Sequence, residues 1–254
     1  MERICAALRP GKRLVEPFTG SAAVFLNTDY KEYLLADTNP DLINLYRQMI
    51  GEGESFIAYC RRFFTPAGNT ADRYYELRDA FNACREPRRR SALFLYLNRH
   101  CYNGLCRYNS RGEFNTPFGR YVRPYFPERE MRSFIERARR AKFLNCSFEE
   151  TMERARRGDI VYCDPPYAPL SRTAHFTDYH TGGFDWDDQE RLAAAAAAAA
   201  SRGARVVISN HDTRAIRRLY QDLGAHITPF KVQRNISCMA DRRERVGELL
   251  AVFG

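Results

Sequence analysis

Three stretches of the chain carry different patterns of hydrophobic and polar residues. In the first, short apolar runs at Arg13–Pro17 and Glu32–Ala36 predict two strands. Between them, Phe18-Thr19-Gly20-Ser21 predicts a turn and Ala22–Asn27 a short helix. A strand, a glycine turn, a helix and a second strand in this order indicate the start of a doubly wound α/β sheet.

The second stretch, from about residue 40 to residue 140, has apolar residues at helical spacing and then a segment without a period. In Tyr102–Tyr125, glycine, asparagine, proline, arginine and aromatic residues follow one another, which favours a loop or hairpin. The predicted helices are Asp41–Ile50, Phe56–Phe64, Asp72–Cys84 and Arg89–His100.

In the third stretch, strand and helix patterns alternate again. The sequence therefore predicts an α/β sheet, formed by residues 1–45 and 140–254, that is interrupted by a basic and mainly helical insertion at residues 46–139. The predicted strands are Lys142–Cys146, Asp159–Cys163, Ala204–Ser209, His226–Gln233 and Leu249–Phe253. The predicted helices are Glu149–Arg157, Asp187–Ser201, which contains a run of eight alanines, and Thr213–Leu223.

Composition limits the class of protein. With 254 residues, 44% of them hydrophobic, the chain can bury a core, which excludes disordered and fibrous classes. No apolar run approaches the roughly 20 residues that span a bilayer. The first residues also lack the apolar segment of a signal peptide, so we expect a cytoplasmic protein. The eight cysteines lack Cys-x-x-Cys spacing, and in their one local cluster, with His100, we interpret Cys101 and Cys106 as buried thiols rather than metal ligands.

The net charge of +9 is unevenly distributed along the chain. Residues 85–142 contain fifteen arginines or lysines and five acids, so this segment has a net charge of +10 and the rest is close to neutral. A basic patch confined to one segment indicates a polyanionic partner. Composition alone does not distinguish nucleic acid from another polyanion.

The most informative motif is Asp164-Pro165-Pro166-Tyr167, which directly follows the predicted strand Asp159–Cys163. Open α/β sheets bind ligands at the carboxyl ends of their strands. The two prolines lack backbone donors, so the loop offers a carboxylate, carbonyl oxygens and an aromatic ring. This set can hold both N–H groups of an exocyclic amine while a planar base stacks on Tyr167. A packed Asx-Pro turn is the alternative interpretation.

Two weaker features follow the first two strands. Glycine in Phe18-Thr19-Gly20 allows the backbone to approach a ligand closely. Asp37 ends the second strand, where a carboxylate in this topology accepts hydrogen bonds from ribose hydroxyls. For Asp37 a turn or helix-capping role is the alternative.

Four stretches of the chain resemble the DNA adenine methyltransferase family, which methylates adenine N6 in GATC with S-adenosylmethionine. They are EPFTGSAAVFLNTDY, LNRHCYNGLCRYNSRGEFNTPFGRY, YCDPPYAPLS and ISNHDT. The second is specific to this family, whereas Asp-Pro-Pro-Tyr alone indicates only an amino-methyltransferase. The resemblance covers nearly the whole chain from Arg13 onward. It implies a Rossmann-like methyltransferase sheet in which residues 46–139 form an inserted DNA target-recognition domain.

The resemblance also implies roles for residues of the sheet. The implied catalytic residues are Asp164, Pro165, Pro166 and Tyr167, and those implied to bind S-adenosylmethionine are Phe18, Gly20, Asp37 and Asp164. The ISNHDT stretch would lie near the active face. We expect its His211 to order a loop or fill the core rather than to transfer a proton.

In the insertion, the resemblance implies a hairpin that reads DNA. Tyr102 and Asn103 would invade the base stack beside a flipped adenine, and Leu105 and Pro117 would contact a neighbouring base pair. Arg107 would read guanine, since arginine can bond O6 and N7 of that base together; a phosphate contact is the alternative. Tyr121 completes the implied DNA-recognition set. Other arginines of the segment, such as Arg88, Arg89, Arg90, Arg139 and Arg140, are interpreted as a solvated helix face or as phosphate contacts.

Two departures from the family pattern concern the cofactor. The usual second glycine of the turn is Ala22 here, and the Trp-Gly-Gly-Lys segment that precedes the first strand in the family has no match before Arg13. We therefore expect weakened binding of S-adenosylmethionine.

Together these features predict a site-specific N6-adenine methyltransferase that acts on double-stranded GATC by base flipping. We expect the protein to use S-adenosylmethionine, to bind neither metal nor membrane, and to be monomeric or weakly self-associating. Methylation of cytosine N4, an RNA adenine or a glutamine amide is the alternative among enzymes, although none of these needs a double-strand reader such as Tyr102–Tyr121. A DNA-binding protein without catalysis is the alternative from another class.

Overall fold

The computed structural model describes residues 1–168, 184–233 and 245–254. They form two compact units, one made of residues 1–38 and 146–254 and the other of residues 39–145. The end of the YCDPPYAPLS stretch, residues 169–171, and Cys238 lie outside the described residues. The assignment of a catalytic role to one part and target recognition to the other stays a prediction.

The described residues contain the following strands and helices. The strands are β1 (Arg13–Glu16), β2 (Glu32–Asp37), β3 (Ala141–Asn145), β4 (Ile160–Cys163), β5 (Arg205–His211), β6 (His226–Gln233) and β7 (Arg245–Phe253). The helices are α1 (Glu2–Ala7), α2 (Ala23–Leu26), α3 (Pro40–Glu52), α4 (Glu54–Arg61), α5 (Ala71–Ala83), α6 (Pro87–His100), α7 (Glu128–Ala138), α8 (Phe148–Glu153), α9 (Trp186–Ser201) and α10 (Arg214–Asp222).

In the first unit, the strands follow the order β2-β1-β4-β5-β7-β6. The first four of these are parallel, and β7 is antiparallel to both β5 and β6. From β1 the chain enters β2 on one side, and β4 pairs on the other, so the strand order reverses between β1 and β4. Such a reversal opens a crevice at the carboxyl ends of the strands, where doubly wound sheets bind ligands. The expected α/β sheet is confirmed.

Helix α9 covers part of this sheet with small side chains. It begins with a capping box in which the side chains of Asp185 and Asp188 bond to each other's backbone N–H groups. Leu192, Ala193, Ala196 and Ala199 are fully buried, at helical spacing. Because alanine has the highest helix propensity, the alanine run forms a helix. One face of that helix, made of small side chains, is buried.

The second unit is mainly helical, and α6 supplies much of its core. Leu93 and Leu97 of α6 and Phe81 of α5 are fully buried. After α6, isolated bridges pair Cys101 with Phe118 and Tyr108 with Phe114, both antiparallel. This confirms the loop or hairpin predicted for the aromatic segment. We call residues 101–118 the hairpin.

The structure differs from the prediction at several elements. Helices α1 and α7 were not predicted; α7 buries only Met131, Phe134 and Ala138, and the charged residues around them hide that stripe in the sequence. Strand β7 begins at Arg245 rather than at Leu249, because it pairs along both edges, with β5 and with β6. Helix α8 ends at Glu153, four residues before the predicted end. In the described ranges, no helix has the length and apolar character needed to cross a bilayer.

Candidate active site

A cleft of about 560 Å³ lies in the first unit at the carboxyl ends of β1, β2 and β4. Phe18, Gly20, Asp37 and Asp164, the four residues predicted to bind a cofactor, all line it. Their binding of a cofactor stays a prediction. Residues that the sequence did not single out also line it: Thr38, Ser147, Phe148, Glu149, Phe184, Asp188 and Arg191. Of these, Ser147 could have been found from the Ser-x-x-Glu capping box that begins α8.

The turn after β1 is tied to the end of β2. The Gly20 N–H donates to Asp37 Oδ2 at 3.0 Å, and the Thr19 N–H donates to the carbonyl of Ala36 at 2.8 Å. Asp37 thus has the turn contact that was the alternative to its ligand role. Ala22 has φ 59° and ψ 27° and is completely buried. A left-handed backbone costs an L-residue roughly 1–2 kcal/mol, which explains why the family pattern prefers glycine there.

Three phenylalanines form an apolar wall of the cleft. The ring of Phe18 stacks on Phe148 with a centroid distance of 5.5 Å, and Phe184 lies 5.6 Å from each of them. Four carboxylates, on Asp37, Glu149, Asp164 and Asp188, also line the cleft. Arg191 is the one cation among the lining residues, and it pairs with Glu149 and Asp188. The cleft therefore combines an aromatic wall with net negative charge, which suits a planar ligand carrying a positive charge.

The Asp-Pro-Pro-Tyr loop is held by polar side chains from β5 and α9. Gln189 Nε2 donates to the Pro166 carbonyl at 3.0 Å, and Asn210 Oδ1 accepts from the Ala168 N–H at 3.1 Å. Nδ1 of His211 lies 2.6 Å from the carbonyl oxygen of Ala168, which fits the expected loop-ordering role. In the described part of the chain, no hydrogen bond reaches the Pro165 carbonyl. Within the described ranges, a protein donor therefore reaches the Pro166 carbonyl but not that of Pro165.

The two functional side chains at the ends of this loop have different environments. Asp164 is exposed in the cleft, and its Oδ1 accepts from Ser209 Oγ at 2.7 Å. Tyr167 does not line the cleft; its hydroxyl lies near Ser209 and Asp164, and its ring meets His211 edge-on at 4.9 Å. Burial, followed by the nearby charge of Asp164, raises the pKa of Tyr167, so this hydroxyl stays protonated.

Glu16 is a buried acid at the end of β1 that sequence reasoning missed. It is 2% exposed, and its carboxylate accepts a hydrogen bond from the backbone N–H of Phe25 in α2. Burial raises the pKa of Glu16 to about 8, and the charge of Asp164 adds to this. The side chain is therefore mostly neutral at pH 7. Its position in the Glu-Pro-Phe-Thr-Gly stretch was the only available signal.

In the second unit, the predicted DNA-recognition residues are brought together on or beside the hairpin. Tyr102 and Leu105 are 44% and 49% exposed, so both large side chains are accessible to a ligand. The Tyr102 N–H donates to the Pro117 carbonyl at 2.8 Å, and the Asn103 N–H donates to the Tyr121 hydroxyl at 3.0 Å. These bonds fix the backbone, while the side chains remain accessible.

Arg107 is exposed but held in place. Its Nε donates to Asn115 Oδ1 at 2.8 Å, and its Nη2 lies 3.4 Å from the Asn115 carbonyl. One edge of the guanidinium is thus engaged, and the opposite edge can address a ligand. The sequence did not single out Asn115.

A partly buried ion pair anchors the hairpin to the helices of its own unit. Arg90 donates to both carboxylate oxygens of Asp41, and the Tyr108 hydroxyl donates to Asp41 Oδ2 at 2.8 Å. Arg88 pairs with Glu52. The interpretation as a solvated face or phosphate contact is therefore wrong for Arg90, whose guanidinium pairs with the buried Asp41. The Arg88 side chain is 36% exposed, and for it the interpretation stays a prediction.

The cysteines are reduced thiols in the described residues. In the local cluster, Cys101 is buried as expected, whereas Cys106 is exposed, so the prediction of buried thiols is wrong for that residue. No group of three or more potential metal ligands occurs in residues 1–168, 184–233 and 245–254.

A mixed sheet with four parallel strands, and with a negatively charged, aromatic cleft at its switch point, defines a Rossmann-like α/β fold. The chain belongs to the D12 class N6 adenine-specific DNA methyltransferase family, whose model matches residues 1–236.

Three similar proteins are DNA adenine methylases. The chain is 50% identical to the DNA adenine methylase of Escherichia coli K12 over 246 residues, which are 97% of this chain and 88% of that protein. It is 51% identical to the DNA adenine methylase of Salmonella typhi, with the same coverage. It is 49% identical to that of Vibrio cholerae over 254 residues, which are 100% of this chain and 91% of the relative.

Proposed function

We propose that the chain is a site-specific methyltransferase that transfers a methyl group from S-adenosylmethionine to N6 of a flipped adenine in double-stranded GATC. The observation that carries the proposal is the Asp164-Pro165 pair at the switch point of the sheet. There the exposed Asp164 and its neighbour Pro165 line one cleft, and the described residues form no hydrogen bond to the Pro165 carbonyl. Two acceptors at one point are what an exocyclic amine with two N–H groups requires.

The cleft fits S-adenosylmethionine in size and chemistry. Its volume of about 560 Å³ lies within the range of roughly 300–1,000 Å³ for small-molecule sites. The wall formed by Phe18, Phe148 and Phe184 would hold the purine, and Asp37 would accept from the ribose hydroxyls. The surplus of carboxylates suits a sulfonium cation. When bound, S-adenosylmethionine supplies an electrophilic methyl group.

The residues of the chain then orient the nucleophile. Asp164 and the Pro165 carbonyl would accept the two N6–H groups, which turns the nitrogen lone pair out of conjugation with the ring. With its lone pair so directed, N6 would be held as the nucleophile for the electrophilic methyl group, and the proton that N6 loses on transfer would pass to solvent. No covalent enzyme intermediate is needed, so catalysis is positioning and dipole alignment.

In the second unit, the hairpin would supply the reading of sequence. Tyr102, Asn103 and Tyr121 would enter or flank the space that the flipped base leaves, and Leu105 and Pro117 would contact a neighbouring pair. Arg107 would donate its remaining edge to guanine O6 and N7. The net charge of +10 in residues 85–142 supports binding to the phosphate backbone.

The proposal is tested with a duplex containing one GATC and duplexes with single-base variants. The full chain is incubated with each duplex and S-adenosylmethionine. The DNA is then digested to nucleosides, which are separated and identified by mass spectrometry. We expect N6-methyladenine in the GATC duplex. Nucleases that require methylated GATC should then cleave this duplex. Methylcytosine, or binding of DNA without any methylated nucleoside, would contradict the proposal and favour another amino acceptor or a non-catalytic DNA-binding protein.

A further inference from the structure

Ser209, in the Ser-Asn-His-Asp stretch that ends β5, has no role in the proposed reaction so far. Its side chain is 1% exposed, and its Oγ lies 2.7 Å from Asp164 Oδ1. The same Oγ lies 3.1 Å from the Tyr162 hydroxyl and 3.4 Å from the Cys163 carbonyl. A buried hydroxyl thus contacts the carboxylate that faces the cleft.

Counting protons assigns the direction of these bonds. An ionised carboxylate only accepts hydrogen bonds, and a serine hydroxyl has a single proton to donate. The short contact to Asp164 takes that proton, so Tyr162 must donate its own hydroxyl proton to Ser209. The result is a chain of donors that runs from Tyr162 through Ser209 to Asp164.

The sheet fixes the position of the Ser209 hydroxyl. Ile208 pairs with Cys163 of β4, and Ser209 itself pairs with Leu250 of β7 on the other side. Asp164, by contrast, is exposed at the start of the loop, where its carboxylate can rotate about the side-chain bonds. A donor on a rigid strand therefore restrains an acceptor on a loop.

We propose that Ser209 is a positioning residue that sets the orientation of the Asp164 carboxylate toward the substrate amine. The inference rests on the proposed function. With Oδ1 engaged by Ser209, the carboxylate presents a fixed acceptor, and a misplacement of about 1 Å in such a group can cost about 100-fold in rate.

The test compares three variants in single-turnover methylation of a GATC duplex: Ser209→Ala, Tyr162→Phe, and the double variant. Ser209→Ala alone leaves the buried Tyr162 hydroxyl without its acceptor, which could destabilise the fold. The double variant removes both hydroxyls and so leaves no unpaired buried group. Tyr162→Phe keeps the bond between Ser209 and Asp164.

We expect Ser209→Ala and the double variant to lower the single-turnover rate by about 10- to 100-fold. Tyr162→Phe should stay within about threefold of the wild type, and Ser209→Thr should recover most of the rate because it restores a donor. Affinities for the GATC duplex and for S-adenosylmethionine should change less than about threefold, since Ser209 lines neither surface.

A double variant as fast as the wild type would overturn the inference, because the loss in Ser209→Ala would then come from the unpaired tyrosine. So would an equal loss in Ser209→Thr and Ser209→Ala. If the wild type methylates and Ser209→Ala stays within threefold of it, only the role of Ser209 is wrong. A wild type that binds both ligands and transfers no methyl group would overturn the proposed function and this inference together.

Discussion

The Asp-Pro-Pro-Tyr loop and the hairpin are both irregular segments, but they are held in different ways. In residues 164–168, buried side chains from β5 and α9 bond to the carboxylate and to the backbone of the loop. In the hairpin, most restraints act on the backbone, and side chains such as Tyr102 and Leu105 project outward. The loop therefore fixes functional groups, whereas the hairpin fixes a frame and exposes them.

This difference follows from what each segment is proposed to do. Methyl transfer requires the reacting atoms to be aligned before reaction, so the acceptors must be rigid. Reading a duplex requires side chains that reach into another molecule, and their desolvation occurs only on binding. Arg107 is intermediate, since it is exposed but held along one edge by Asn115. Substitutions in the two segments should therefore separate rate from specificity.

The largest effect is expected for Asp164→Ala. Removing the carboxylate takes away an acceptor aligned with the amine, so the single-turnover rate should fall at least about 100-fold. DNA affinity should remain within a few-fold, because phosphate contacts dominate it. Quench-flow methylation and titration of a labelled duplex measure the two quantities.

The control for this variant is Asp187→Ala, which removes an exposed acid in the first turn of α9 that does not line the cleft. It should keep the wild-type rate. More than a few per cent of the rate remaining in Asp164→Ala would exclude that carboxylate from the mechanism.

The next largest effect concerns the frame of the hairpin. Asp41→Asn removes the charge that pairs with Arg90 and accepts from Tyr108, so the free energy of unfolding should fall by about 2–3 kcal/mol. Tyr108→Phe removes only one hydroxyl and should cost about 1 kcal/mol. Urea denaturation measures both losses, and equal losses would mean that the ion pair is not the main stabilising contact.

Arg107→Ala should change specificity more than affinity for DNA in general. We expect a loss of about 1–3 kcal/mol at one guanine position, with less discrimination against other bases there. Arg111 lies in the exposed turn of the same hairpin. Arg111→Ala should lower the affinity for all DNA sequences alike, and the slope of log affinity against log salt concentration should become shallower by about one unit. Competition binding with single-base variants of GATC separates the two patterns, and a uniform loss for Arg107→Ala would assign it to a phosphate.

The smallest effect is expected at the turn after β1. Ala22 has a left-handed backbone, so Ala22→Gly should raise the free energy of unfolding by about 0.5–1 kcal/mol once the greater freedom of unfolded glycine is subtracted. Ala23→Gly, at the first helical position of α2, should lower it by a similar amount. Thermal unfolding measures both changes, and a destabilising Ala22→Gly would show that the methyl group packs favourably enough to outweigh the backbone strain.

Regular elements and motifs at strand ends could be predicted from the sequence, whereas contacts between distant polar residues could not. Strand β4 and helix α6 have continuous or periodic apolar residues, and both were predicted to within two residues of their observed bounds. Helix α7 was missed because its three buried positions stand among charged residues.

The supporting residues of the candidate site show the same limit. Ser209 and Asn210 are polar residues in a buried strand, and their function is defined only when pairing places β5 beside β4. Gln189 contacts a loop carbonyl 23 residues away in sequence, and Arg90 contacts an acid 49 residues away. Hydrophobic period carries no information about such pairs, since it reports which face is buried and not which polar groups meet there.

Because Glu16 is buried, the folded and unfolded chains bind different numbers of protons over a range of pH. An unfolded Glu16 would titrate near 4.5, whereas the folded side chain titrates near 8. Between these values the native chain retains a proton that the unfolded chain has released, so folding at neutral pH takes up a proton from solution. The contribution of this residue to stability is therefore complete below about pH 4.5 and is lost as the pH rises through about 8. Alkaline solution therefore destabilises the sheet by ionising the buried carboxyl group of Glu16, close to the charge of Asp164.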